Sequence, residues 1–336
     1  MICLSIGYAT FSTGINLNAK GNIKQIPITI DNLKTTITTS GDGLYKDYTE
    51  DGRYVYKGTN PNNYITLGND MYRIIAVEKD NTLKVVKNES VGSIYFDLIY
   101  NSNMAESVSQ TIRYSSTNTD YCYQNSGETS QYYGCNVWGN NKTILDNTQN
   151  HIDKIIKVAS NNISYNLPNT EAYINTYLNS IWYSTIDTDI QYIIVNHIFN
   201  IGAVEDNGNQ SLDTTLKQEQ LYKWQGKIGL INVTDYIKSN TNINECGTAY
   251  KNSAPVNNYN TCKTTNWIYD ISAKNSLWTI APYHNYVNHN WFISSEGYIG
   301  GNGSAGKAAV VPTFYLSSSI KLFGDGTAES SYKISK

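Results

Sequence analysis

Apolar and polar residues alternate in short pieces near the start of the chain: Ile15 and Leu17, then Ile26, Ile28 and Ile30. A period of two marks a half-buried strand. Gly41-Asp-Gly43 reads as a turn, and a boundary is placed near residue 40. Residues 1–40 are expected to form a stalk or an added β element, and residues 41–336 the main domain. Between 53 and 100 the runs Arg53-Tyr-Val-Tyr, Tyr64-Ile-Thr-Leu, Met71-Tyr-Arg-Ile-Ile-Ala-Val and Leu83-Lys-Val-Val-Lys are β-branched and aromatic. Asn/Gly/Asp/Pro clusters separate them, as in a meander of hairpins. Residues 101–150 are polar and rich in Asn, Ser and Tyr, which predicts a surface insertion.

The period changes between 170 and 200. Ala172, Ile174, Tyr177, Leu178, Ile181 and Trp182 fit a helical stripe. Asn169 or Thr170 can cap it, with Glu171 at the positive end of the dipole. A second helix is expected over about 187–198, carrying Ile190, Ile193, Ile194 and Ile198, with Gly202 just past its end. Gly229-Leu-Ile-Asn-Val-Thr-Asp-Tyr reads as a strand feeding a turn. The C-terminal part returns to strands at Trp278-Thr-Ile, Trp291-Phe-Ile, Val310-Val-Pro-Thr-Phe-Tyr-Leu and Ile320-Lys-Leu. Strands, then two helices, then strands predict an α+β fold rather than alternating α/β.

Composition narrows the function classes. The 336 residues carry 25 Lys and Arg against 28 Asp and Glu, a net charge of −3, which is no footprint for nucleic acid. Only 16% are charged while 29 are tyrosine, so the expected surface is polar, uncharged and aromatic. Low charge with many aromatics favours a folded chain over disorder. The abundance of Asn, Ile, Tyr and Lys also matches adenine/thymine-rich codons, so genomic base composition contributes to the pattern.

Four of the 5 cysteines form two local pairs, Cys122 with Cys135 and Cys246 with Cys262, each in a polar loop. Their spacing is not that of a zinc site. Two loop-stapling disulfides are expected, since free thiols prefer apolar cores; four separate buried thiols are the alternative. Disulfides imply an oxidising, extracytoplasmic compartment. Met1-Ile-Cys-Leu-Ser-Ile-Gly-Tyr-Ala-Thr-Phe-Ser reads either as the tail of an export segment or as an ordinary first strand.

Several segments carry a resemblance. Tyr54-Val-Tyr-Lys-Gly-Thr-Asn-Pro-Asn-Asn-Tyr, Met71-Tyr-Arg-Ile-Ile-Ala-Val-Glu, Tyr177-Leu-Asn with Phe199-Asn-Ile-Gly, Trp224-Gln-Gly-Lys-Ile-Gly-Leu-Ile-Asn-Val-Thr-Asp-Tyr, Trp278-Thr-Ile-Ala-Pro, Val311-Pro-Thr-Phe-Tyr-Leu and Gly324-Asp-Gly-Thr are similar to segments of exported surface proteins of low-GC gut Gram-positive bacteria. The likeness covers about residues 43–336. The later part resembles a C-type-lectin-like domain, of the branch shared by formylglycine-generating enzymes and the variable proteins of diversity-generating retroelements. That resemblance implies two helices, an antiparallel sheet, long loops and a ligand face built by C-terminal loops. The closing motif departs from the family, with Val311 where an arginine would stand.

The segment Tyr283, His284, Asn285, Tyr286, Val287, Asn288, His289, Asn290, Trp291 suits a recognition loop. Tyr and Trp give contact area at low entropy cost, and Asn gives adaptable hydrogen bonds. Tyr283, Tyr286 and Trp291 are expected to stack on a ligand, with His284, Asn285, Asn288 and Asn290 bonding to it. An ordinary loop in an Asn/Tyr-rich chain is the plainer reading. No metal or cofactor is expected: His284 and His289 lack convergent ligands, and Asp206–Asp213 is not an EF-hand loop. Hydrolase and nucleotide motifs are absent. A formylglycine-type oxidation would need reactive thiols at Cys246 and Cys262. The expected function is non-catalytic binding of a glycan or protein at an extracellular or cell surface, as an adhesin. The alternative is a structural subunit of a surface fibre or coat, self-associating through residues 1–37.

Overall fold

The computed structural model describes residues 26–97, 122, 134–146, 156–158, 163–206, 211–246, 256–272, 275–284 and 286–335. The fold is mixed α+β and rich in sheet. The four apolar runs become the strands Tyr54–Lys57, Tyr64–Leu67, Asp70–Val77 and Leu83–Lys87. Gly68, with φ +61°, makes the tight turn that lets Leu67 pair with Asp70. These strands lie within a ten-stranded sheet that the far end of the chain completes. Thr313–Leu316 runs antiparallel to Leu83–Lys87, and Tyr332–Ile334 runs parallel to Tyr64–Leu67.

Successive residues of a strand point to opposite faces. Ile74 and Val85 enter one buried cluster, with Trp278 and Phe314, while Ile75 and Val86 enter a second, with Trp267 and Trp291. Both faces of the central strands are therefore covered, which explains their continuous apolar runs. A five-stranded sheet, in the order Ile299–Gly303, His289–Ile293, Leu277–Pro282, Lys307–Ala309 and Ser93–Tyr95, supplies the C-terminal loops. A three-stranded sheet joins His197–Asn200, Tyr222–Gly226 and Ile144–Asp146.

Charged residues enter the interior together. Arg53 reaches Asp47, Glu78 and Asp235 at 3.0–3.1 Å. Lys84 reaches Asp235 at 2.6 Å and Lys238 reaches Asp47 at 2.8 Å. Arg53, Asp47, Lys84, Asp235 and Lys238 are all buried. Such charges are tolerated only when mutually paired.

Several expected elements differ. Ile28 forms one bridge, to Leu322, and the chain then makes a helical turn, Ile30–Leu33, capped by Thr29. Ile30 and Leu33 lie in the larger core cluster, so this stretch is packed onto the body. Residues 1–25 lie outside the described residues, as does most of 101–150. The first expected helix is a turn of α-helix at Tyr173–Thr176 that widens to a π-helix at Tyr177–Trp182. Its first residue follows Ala172, and Glu171 instead accepts a bond from Trp224 Nε1. The second helix stops at Ile193, and Ile194–Val195 and His197–Asn200 are strands. His197 stacks on Tyr315 at 3.7 Å rather than sitting on a helix. The helices Leu212–Glu219, Val233–Lys238, Ile243–Cys246, Val256–Lys263 and Trp267–Ser272 were not expected from the sequence.

Candidate functional site

The strands Leu277–Pro282 and His289–Ile293 pair antiparallel, and the loop between them carries the expected recognition residues. Its ends are closed by Tyr283 N donating to His289 O at 2.9 Å and His284 N donating to Val204 O at 2.9 Å. Asn136 organises its interior. The Asn136 side-chain amide donates to the carbonyls of Tyr283, Tyr286 and His289 at 3.1, 2.6 and 2.8 Å. Three surrounding acceptors require the amide nitrogen, not its oxygen, to face them. Asn136 N also donates to Val287 O at 2.9 Å.

Asn136 follows Cys135, which lies at disulfide distance from Cys122, with Cα atoms 5.5 Å apart. Cys135 N donates to Asp97 Oδ2, and Tyr173 N donates to Asp97 Oδ1. The first cysteine pair thus sits beside the residue that holds the C-terminal loop. Cys246 and Cys262 are also at disulfide distance, 5.5 Å between Cα atoms.

The candidate residues fall into two sets. Trp291 is 1% exposed, and its Nε1 donates to Val204 O at 2.8 Å. Asn290 is fully buried, donating to Asn136 O and accepting from Ser304 Oγ. These two hold the loop from beneath, because both are in a strand paired on both sides. Tyr286 is 57% exposed. Tyr283, Asn288 and His289 are half-buried. Asn285 lies outside the described residues.

The rings form one cluster. Tyr283 packs on Trp291 with centroids 4.6 Å apart and meets Tyr286 at 5.8 Å. Tyr286 meets His289 at 5.0 Å. A Cβ on Gly301 would stand 2.6 Å from Tyr283 Cδ2, so the glycine-rich strand makes room for that ring. Two carboxylates flank the cluster. Tyr283 donates through its hydroxyl to Asp206 Oδ2 at 2.7 Å, and His284 Nδ1 lies 3.2 Å from Glu205 Oε1. Burial raises the Tyr283 phenol above its ordinary range, and the bond to Asp206 adds to this. Burial lowers His289, which keeps that ring neutral near pH 7. His289 Nδ1 lies 2.8 Å from Asn288 Oδ1.

This arrangement presents an aromatic ledge, Tyr286 over Tyr283 and Trp291, with carboxylates and an amide at its border. Asn136 and Glu205 are not tied to the loop by the sequence, and Asp206 figures there only within the Asp206–Asp213 segment, because these residues lie 77 to 153 positions from the loop residues they contact. In the Arg53–Asp235 cluster, Arg53, Asp47, Lys84, Asp235 and Lys238 are buried, while Glu78 at its edge is partly exposed. Among the described residues, no helix is long and apolar enough to cross a membrane. No protein-family model, curated protein or solved structure matches this chain.

Proposed function

We propose that this chain is a non-catalytic binding protein of an extracellular or cell surface, with a C-type-lectin-like domain whose 283–291 loop meets the ligand. One observation carries the reading: Tyr286 stands 57% exposed on a ring cluster whose backbone Asn136 fastens at three points. A large exposed ring on a rigid loop binds at little entropic cost. Two cysteine pairs at disulfide distance agree with an oxidising compartment. Aromatic faces and amides beside carboxylates suit a glycan, whose ring stacks while its hydroxyls bond.

The test is a screen of the whole chain on glycan and extracellular-matrix arrays, with and without calcium, beside Tyr286→Ala. The expected result is a ligand whose affinity falls about tenfold in the variant, the scale of a lost ring contact. Because Tyr286 is exposed, its removal leaves the melting temperature unchanged. A ligand held equally by the variant would move the site elsewhere. No ligand on either array would sink the binding reading.

A further inference from the structure

A groove of about 800 Å³ lies on another part of the molecule, between the helix Thr188–Ile193, the turn at Gly68 and the C-terminal strand Tyr332–Ile334. Its size is that of a small-ligand site. We propose that it is a second binding site, for a neutral oligosaccharide.

The aromatic platform is Tyr192, which stands 91% exposed, the most exposed large apolar side chain among the described residues. Such a ring loses water contact only if something covers it. Asp187 supplies the polar partner. It occupies the N-cap position of Thr188–Ile193, yet its side chain makes no capping bond. An N-cap aspartate normally spends its carboxylate on the helix. Here Oδ2 lies against Gly68, 2.8 Å from where a Cβ would stand. The glycine leaves room for that carboxylate on the groove wall.

The lining selects among ligand classes. Its charged groups are the carboxylates of Asp187 and Asp189 against one ammonium, that of Lys333, so an anionic ligand is disfavoured. A strand-adding peptide finds no edge here. Tyr64–Leu67 is paired on both sides, and so is Tyr332–Ile334. What remains is an open groove with more apolar than polar surface, walled by Tyr192, Ile190, Ile193 and Ile334, with the Asp187 carboxylate able to accept from adjacent sugar hydroxyls. That combination stacks the apolar face of a pyranose and bonds its rim.

The test is saturation-transfer NMR on the full chain with chitotetraose, cellotetraose and maltotetraose. Wild type is compared with Tyr192→Ala, Asp187→Asn and Tyr286→Ala. At least one oligosaccharide is expected to receive saturation. Its affinity is expected to fall about tenfold when Tyr192→Ala or Asp187→Asn is added to a protein that already carries Tyr286→Ala, which separates the groove from the loop site. Both groove side chains are exposed, so the variants keep the fold. No transfer to any of the three sugars overturns the inference. So does transfer that survives Tyr192→Ala but is lost in Tyr286→Ala, an outcome that leaves the loop site standing.

Discussion

Glu219 ends the helix Leu212–Glu219 and is 1% exposed. Thr234 donates to both its oxygens, from N at 3.2 Å and from Oγ1 at 2.5 Å. Burial nevertheless dominates and pushes the carboxyl up to about 7 from its ordinary 4.5, with Asp235 adding to the rise. The native state therefore keeps a proton that the unfolded chain gives up above about pH 4.5. Stability falls as pH rises from there to about 7, by roughly 3 kcal/mol at most. Asp47 works in a different window. Burial would raise it, but Lys238 and Arg53 hold it down to about 2, so its contribution is lost only as pH falls below about 4. Thermal melts at pH 5 and pH 8 check this. Wild type should melt lower at pH 8, and Glu219→Gln should show a smaller difference. An unchanged difference would assign the pH dependence to another group.

The elements show where periodic reasoning succeeds and where it fails. Strands with one branched or aromatic residue after another were legible, because such side chains suit a pleated, buried surface. The helical stripe was legible in part. Ile174, Leu178 and Trp182 recur every fourth residue and are buried, but Ile181, which fits an α-helical stripe, is 57% exposed. The π-helix over Tyr177–Trp182 widens the turn and swings that position outward. The helix at 233–238 was hidden because Asn232-Val-Thr-Asp235 reads as a turn. In the fold, Asp235 Oδ2 accepts from Asn232 N at 2.9 Å and starts the helix. The glycine strand Ile299–Gly303 has a role that only its neighbour explains, namely space for Tyr283. Gly301→Ala is expected to displace that ring, cost about 1–3 kcal/mol and weaken array binding beyond any loss of fold. Binding intact in a folded Gly301→Ala protein would detach Tyr283 from the ligand face.

Across the whole molecule, the two cysteine pairs make different predictions. Cys246 and Cys262 are separated by 16 residues, and closing such a loop is worth about 3 kcal/mol. Reductant, or Cys262→Ser, should lower the melting temperature accordingly. Cys122 and Cys135 lie next to Asn136, so their reduction should weaken ligand binding by loosening the 283–291 loop. Cys122→Ser with full binding would show that Asn136 is held without the cross-link.

The α+β class, the principal strands, the cysteine pairing and the aromatic loop could all be read from residue order. Each depends on residues near one another in the chain, at most 16 positions apart for the cysteines, and local periodicity and composition record such neighbours. Burial within the loop could not be read this way. Trp291 and Tyr286 are equally aromatic in sequence, yet one is 1% exposed and the other 57%. The difference arises because Trp291 lies in a strand paired on both sides, its indole bonded to Val204, while Tyr286 lies between strands. Asn136 is as remote, 150 residues from the carbonyl it holds at Tyr286. Contacts made across such distances follow from chain packing, and packing leaves no periodic trace in the order of residues.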